Sequence, residues 1–336
     1  MRKFLIGFFI FFSGIATGQS NLEDFNHSPK WVDSAGQINP DPGLMKYFQN
    51  MNFVCHNASG FTPKENKIAA KAFSELVQYT SEGDQIKGFW NSPEHKQKRE
   101  GLLATAIKAG SWKAAYVNSV WAIKYPSAET PIEVASTKLH ELVSQGIPIA
   151  AYKYASYLFG RDYETMYYLY AEAIKRGSPQ AMSAVGGTIV VRVQELHPLG
   201  KQLLECAVGQ GYAEAYDHLG LLADMEGRRV DAYRLWEKGI NEGCEGCIKK
   251  MSNLAKVRHG YSADVSMMEL MPELTRIKEF NDNNFFYQLT ELPDFYRRLP
   301  DELIFHLNDS ELLSLLKLEK IFSHVVTLKL RKWLRK

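Results

Sequence analysis

The sequence lacks the short motifs that most often announce catalysis. It has no G-x-S-x-G elbow, no P-loop, no G-x-G-x-x-G turn and no H-E-x-x-H pair. Their absence takes away the exposed serine, the phosphate cradle, the dinucleotide turn and the helical zinc site. Charge of one sign is also missing. Forty Lys and Arg against thirty-eight Asp and Glu leave a net charge of +2, so no basic field recruits nucleic acid. Nine histidines are scattered singly, as surface or satisfied core residues usually are. The carboxylates show only helix-face partners, Glu237 beside Lys238 and Asn241 being one case.

Cysteine is scarce as well: Cys55, Cys206, Cys244 and Cys247. One C-x-x-C without a second pair or a nearby histidine pair is not a zinc site. Cys244 and Cys247 straddle the start of a helix, where a pair at i, i+3 can close. Four cysteines allow three connectivities, and spacing alone does not choose among them. A redox-active pair is the alternative, because a helix N-terminus lowers a thiol pKa. No cofactor and no metal is expected.

What is present begins with an export signal. Residues 1–18 carry Arg2 and Lys3, then an apolar run from Leu5 to Phe12, then the small residues Ala16 and Gly18 ahead of Gln19. The run is short for a bilayer span, and the expectation is a cleaved signal and a periplasmic mature chain; a membrane anchor is the competing reading. An oxidising destination permits disulfides.

The dominant pattern is a repeat. A glycine followed four residues later by a small residue recurs as Gly110/Ala114, Gly146/Ala150, Gly177/Ala181, Gly211/Ala215 and Gly243/Cys247, at spacings of 36, 31, 34 and 32 residues. A glycine just past a helix tolerates the left-handed backbone that ends it. A small residue one turn into the next helix lets two backbones approach. Between Gly211 and Gly243 lie two amphipathic helices, one with Leu219, Gly220, Leu222 and Ala223 and one with Ala232, Leu235, Trp236, Gly239 and Ile240. A hairpin this short cannot bury its own stripes and needs like neighbours.

The pattern predicts an all-α chain: a right-handed superhelical solenoid of helix-turn-helix repeats over 63–257. Helices are expected near 64–82, 93–109, 112–123, 132–145, 148–159, 163–176, 179–193, 198–210, 213–226, 229–242 and 245–257. In the first, Ile68, Ala69, Ala72, Phe73, Leu76 and Val77 share a face. The run EHKQKRE at 94–100 reads as a solvated face. Gly186 and Gly187, inside a helix, read as close packing or a kink. Residues 19–62 form an irregular arm, which the patch Phe53-Val54-Cys55 could dock. Residues 258–336 lose the repeat and supply a divergent helical cap. They end in KLRKWLRK, five cations and one Trp, which reads either as a contact for anionic lipid or an acidic partner, or as a solvated tail.

Seven tyrosines fall within nineteen residues: Tyr152, Tyr154, Tyr157, Tyr163, Tyr167, Tyr168 and Tyr170. That exceeds what one helix seam buries, and tyrosine carries much of the energy of protein interfaces. Tyr152, Tyr157, Tyr163, Tyr167 and Tyr168 are the candidate partner-binding residues.

Ala213 to Gly243 resembles the Sel-1-like repeat, a relative of the tetratricopeptide repeat. Ala215, Leu219 and Gly220 match its first helix, and Ala232, Trp236 and Gly239 its second. Ala150 to Gly177 and Gly200 to Gly211 match in part. The layout, with Phe53-x-Cys55 in the arm and the G-x-x-K-A step at Gly110 to Ala114, is similar to that of exported Sel-1-like proteins of Gram-negative envelopes. Some of these resemble immunity proteins against secreted lipase toxins. The resemblance implies a non-catalytic periplasmic protein that binds another protein, such as a phospholipase toxin. Alternatives are an envelope scaffold or stress-signalling adaptor, or an enzyme acting on peptidoglycan or a β-lactam. Proposed β-lactam-binding relatives carry two cysteines per repeat, and this chain departs from them.

Overall fold

The computed structural model describes residues 42–127, 131–251, 272–282, 292 and 299–308. The expected signal at 1–18, the arm before residue 42 and the basic tail at 329–336 lie outside these residues, as does most of 258–336. The described residues are helical, and no strand occurs among them.

The helices are α1 (Pro42–Phe48), α2 (Lys67–Asp84), α3 (Pro93–Lys108), α4 (Trp112–Lys124), α5 (Ile132–Ser144), α6 (Pro148–Leu158) and α7 (Tyr163–Lys175). They continue as α8 (Pro179–Arg192), α9 (His197–Gly209), α10 (Ala215–Met225) and α11 (Arg229–Asn241). Residues 245–251 begin α12, and α13 spans Pro272–Asp282. From α2 to α11 the helices pair as successive hairpins, and each hairpin stacks on the next. The chain is therefore a solenoid of short hairpins, as the repeat predicts. Helix α1 falls within the arm read as irregular and packs on α7.

Local chemistry explains the joints. Gly110, Gly146, Gly177, Gly211 and Gly243 all have φ between 80° and 98°. At each joint the residue after the glycine donates its N–H five residues back: Ser111 to Ala106, Ile147 to Leu142, Ser178 to Ala173, Tyr212 to Ala207 and Cys244 to Gly239. These are Schellman closures, which satisfy carbonyls that a helix end leaves free. Caps then start the next helix. Ser111 Oγ accepts from Ala114 N at 3.1 Å, Asp162 Oδ1 from Thr165 N at 3.0 Å, and Ser178 Oγ from Ala181 N at 3.3 Å. The small partners Ala114, Ala150, Ala181, Ala215 and Cys247 are all fully buried.

Helical glycines let the hairpins approach further. A methyl at Gly220 overlaps the Trp236 indole, whose Nε1 donates to the Asp217 carbonyl at 3.1 Å. Gly186 faces Leu204 and Gly200, and Gly187 faces the His218 imidazole. Both belong to α8, so the glycine pair serves close packing. Val143, Tyr152 and Tyr154 touch both halves of the core and join them.

Three details differ from expectation. Ile68 is three-quarters exposed, because the buried stripe of α2 runs through Ala69, Phe73, Leu76, Thr80 and Gly83 and leaves Ile68 at its edge. In the charged run, Arg99 turns inward and lies 3.9 Å from the Trp121 ring centre and 4.9 Å from that of Trp90. Glu237 is not a surface helix partner. It is buried and bonds residues 306 and 307 of the C-terminal segment.

Glu214 couples the fifth hairpin to α12. Its Oε1 accepts from Glu245 N at 2.7 Å and its Oε2 from Gly246 N at 3.2 Å, a cap supplied from a neighbouring unit. Burial pushes this carboxyl up to about 6, against the pull of the two N–H groups.

Two outcomes follow for stability. Gly220→Ala gains helix propensity but overpacks Trp236, so urea unfolding should show a net loss of about 1–3 kcal/mol. Gly209→Ala, with no atom near its added methyl, should gain up to about 1 kcal/mol. For Glu214, the folded group binds its proton more tightly than the unfolded one, so its contribution is full below pH 4.5 and lost as pH rises to about 6. Wild type minus Glu214→Gln should therefore fall by about 2 kcal/mol over that window. A flat or rising difference would refute the assignment.

Candidate partner-binding surface

The third hairpin, α6–α7, carries the tyrosines, and a short turn of four residues, 159–162, joins its helices. Gly160 takes φ 75°. The N–H groups of Arg161 and Asp162 both donate to the Leu158 carbonyl, at 2.8 and 3.0 Å. Phe159 stands half exposed at the tip, and Tyr163 packs edge-on against it at 5.8 Å. The Arg161 guanidinium covers the Tyr157 ring at 4.5 Å and donates to the Tyr157 carbonyl at 2.7 Å. Tyr157 in turn stacks on Tyr154.

Behind the tip lies an apolar slot of 160 Å³ between α7 and α8. Met166, Tyr167 and Tyr170 form one wall and Ala184, Val185 and Thr188 the other. Leu44 of α1, Phe159 and Arg192 complete the lining. Helix α1 continues the aromatic surface, because Tyr47 meets Tyr168 edge-on at 6.4 Å and Lys46 pairs with Glu164. The slot has the size of one large apolar side chain, and aromatic anchors beside such a pocket are the usual make-up of a protein interface centre.

The five tyrosines singled out from the sequence therefore separate. Tyr163 and Tyr168 are exposed. Tyr157 is partly covered by Arg161, and Tyr152 is half-buried between the two core halves with its ring tilted on Tyr170. Tyr167 does not stand on the open surface and reaches it only as a wall of the slot. It is buried with its ring edge on Phe48 of α1, a packing partner that the sequence places 119 positions away. Phe159, Tyr47 and the slot were not foreseen. Phe159 had one signal, an aromatic residue directly before the glycine of a short turn.

Both cysteine pairs are closed. Cys244 and Cys247 are bonded, as their spacing allows, and Cys55 is bonded to Cys206 of α9. The second bond docks the Phe53-Val54-Cys55 patch. The arm lies so close that a side chain at Gly177 would meet the His56 carbonyl at 2.6 Å. Gln210 grips the same stretch, accepting from Ala58 N at 3.2 Å and donating to the His56 carbonyl at 3.0 Å.

Among the described residues no group of three His, Cys, Asp or Glu is placed to hold a metal, and no helix is long and apolar enough to cross a membrane. His218 is partly buried, and desolvation lowers its pKa below the ordinary histidine value. Its imidazole packs against Gly187 of α8.

No family model and no curated protein matches the sequence. Three solved structures share its fold. Immunity protein Pa5087 of Pseudomonas aeruginosa superposes with a TM-score of 0.54 at 18% identity, over 74% of this chain and 91% of that one. Protein PA5086 of the same organism gives 0.55 at 17%, over 75% and 92%. Immunity protein PA5088 gives 0.51 at 18%, over 75% and 92%. At such identities the likeness is one of fold, and it spans nearly the full length of each neighbour.

Burial makes opposite forecasts for two tyrosines of one helix. Tyr167→Ala should cost about 3–5 kcal/mol in denaturant unfolding. Tyr163→Ala should stay within about 0.5 kcal/mol of wild type. Equal losses would mean that Tyr163 is core and not a free surface.

Proposed function

We propose that the protein is an exported Sel-1-like repeat protein of the periplasm, and that it neutralises a toxin by binding it, as an immunity protein does. The toxin class that best fits the envelope is a secreted phospholipase. One observation carries the reading: an exposed aromatic tip, Phe159 with Tyr163, stands over an apolar slot. It does so on a fold shared with two immunity proteins over nine tenths of their length. Two disulfides support an oxidising compartment. Inhibition here works by occupancy. Phe159 and Tyr163 form the rigid centre of the contact, and the slot between α7 and α8 takes an apolar side chain of the toxin. Tyr168 and Tyr47 extend the same surface across α1.

The test is affinity capture of the tagged mature protein from the periplasm of its own host, followed by mass spectrometry and reconstitution. The expected result is one stoichiometric partner with phospholipase activity, silenced when the complex forms. Phe159→Ala with Tyr163→Ala should weaken binding by about 2–4 kcal/mol, or roughly 30- to 1000-fold in Kd. Several weak partners, or full affinity in the double variant, would overturn the reading.

A further inference from the structure

The C-terminal segment lies extended along α11. After the single turn Asp301–Leu303 its exposure alternates: Ile304 and His306 are exposed, while Phe305 and Leu307 are buried to 4% and 3% exposure. A period of two is that of an extended chain.

Helix α11 grips the main chain of this strap. The Asn241 amide makes both bonds of Phe305, with Oδ1 accepting from its N–H at 2.7 Å and Nδ2 donating to its carbonyl at 2.8 Å. Glu237 Oε1 accepts from Leu307 N at 2.9 Å. Arg234 Nη1 donates to the Leu307 carbonyl at 2.6 Å and to Glu237 Oε2 at 2.6 Å. Geometry explains why this works. Four residues of helix rise about 6 Å and two residues of extended chain about 6.6 Å. Asn241 and Glu237 are therefore in step with Phe305 and Leu307.

The fold uses this device twice, with one difference. Gln210 grips the arm through the N–H of Ala58 and the carbonyl of His56, but the arm is also locked by Cys55–Cys206. The strap at 299–308 contains no cysteine. One side-chain contact joins these, His306 Nδ1 with Glu237 Oε1 at 2.8 Å, but the remaining bonds are to the main chain and do not read side-chain identity, so the groove chiefly selects extended backbone with apolar residues two apart. Beside the strap an open cavity of 410 Å³, walled by Lys238, Glu242 and His306, leaves room for an incoming chain.

We propose that this face of α11 is a docking groove for an extended segment of a partner protein with apolar residues at alternate positions, and that residues 304–307 are its intramolecular occupant, displaced on binding. The proposal is independent of the third-hairpin surface and holds whatever that surface binds.

The test uses a fluorescein-labelled peptide of residues 299–308 and the full mature chain with its strap released by Phe305→Asp and Leu307→Asp. The released chain should bind the peptide at least about tenfold more tightly than wild type, because a tethered strap competes at an effective concentration on the order of millimolar. Serine at either apolar position of the peptide, or Asn241→Ala in the released chain, should abolish binding. No binding by a folded released chain, or binding indifferent to Asn241, would overturn the proposal. If the released chain loses its helical circular dichroism, hydrogen exchange on wild type decides. Amides of Phe305 and Leu307 that exchange well before those of α10 and α11 support a displaceable strap. Amides that exchange only with global unfolding refute it.

Discussion

Close approach of helix backbones at fully buried small residues is the constraint on which this structure depends. A short two-helix hairpin exposes more apolar surface than it can cover alone, so each must lie against the next. Ala114, Ala150, Ala181, Ala215 and Cys247 admit that contact by offering almost no side chain. The preceding left-handed glycine turns the chain so that the small residue arrives at the contact. Gly186, Gly187 and Gly220 extend the principle into helix interiors, where Leu204, the His218 ring and the Trp236 ring fill the space a methyl would take. Helix propensity is given up at those positions, and ring packing against the bare backbone offsets the loss.

The ends of the described chain obey a second rule. A solenoid holds nearest neighbours well, but an extended segment forms no hydrogen bonds within itself and needs its backbone groups satisfied from outside. Here an amide side chain near a helix end supplies donor and acceptor together, Gln210 for the arm and Asn241 for the strap. The arm carries a further fastening in Cys55–Cys206, which closes a loop of 151 residues and spans several repeats. That bond and the packing of α1 on α7 place Leu44 over the slot. The candidate surface on the third hairpin is therefore built by the arm as much as by the repeat.

Burial sorts the aromatic residues into two roles. Tyr167 and Tyr116 are spent on the core, and Tyr152 and Tyr154 join its two halves. Phe159, Tyr163 and Tyr168 remain exposed at the hairpin tip and along α7, touched only at their edges, Tyr163 by Phe159 and Tyr168 by Tyr47. An aromatic tip beside an apolar slot is suited to a protein partner.

The sequence by itself determined the repeat helices from α2 to α11, their joints and their stacking, though not α1 of the arm. Each of these rests on residues within one turn of each other: a glycine past a helix end, a small residue four positions on, a serine or aspartate cap. The Cys244–Cys247 bond was legible for the same reason. Tertiary structure alone decided that Cys55 finds Cys206, that Tyr167 is claimed by Phe48, that Arg99 turns in to Trp121, and that Glu237 faces the strap instead of its own helix surface. In each of these the partner lies tens of residues or more away, or the choice depends on which side of a helix a distant segment covers. Helical periodicity places a residue on a face, but it carries no information about what arrives at that face from elsewhere in the chain.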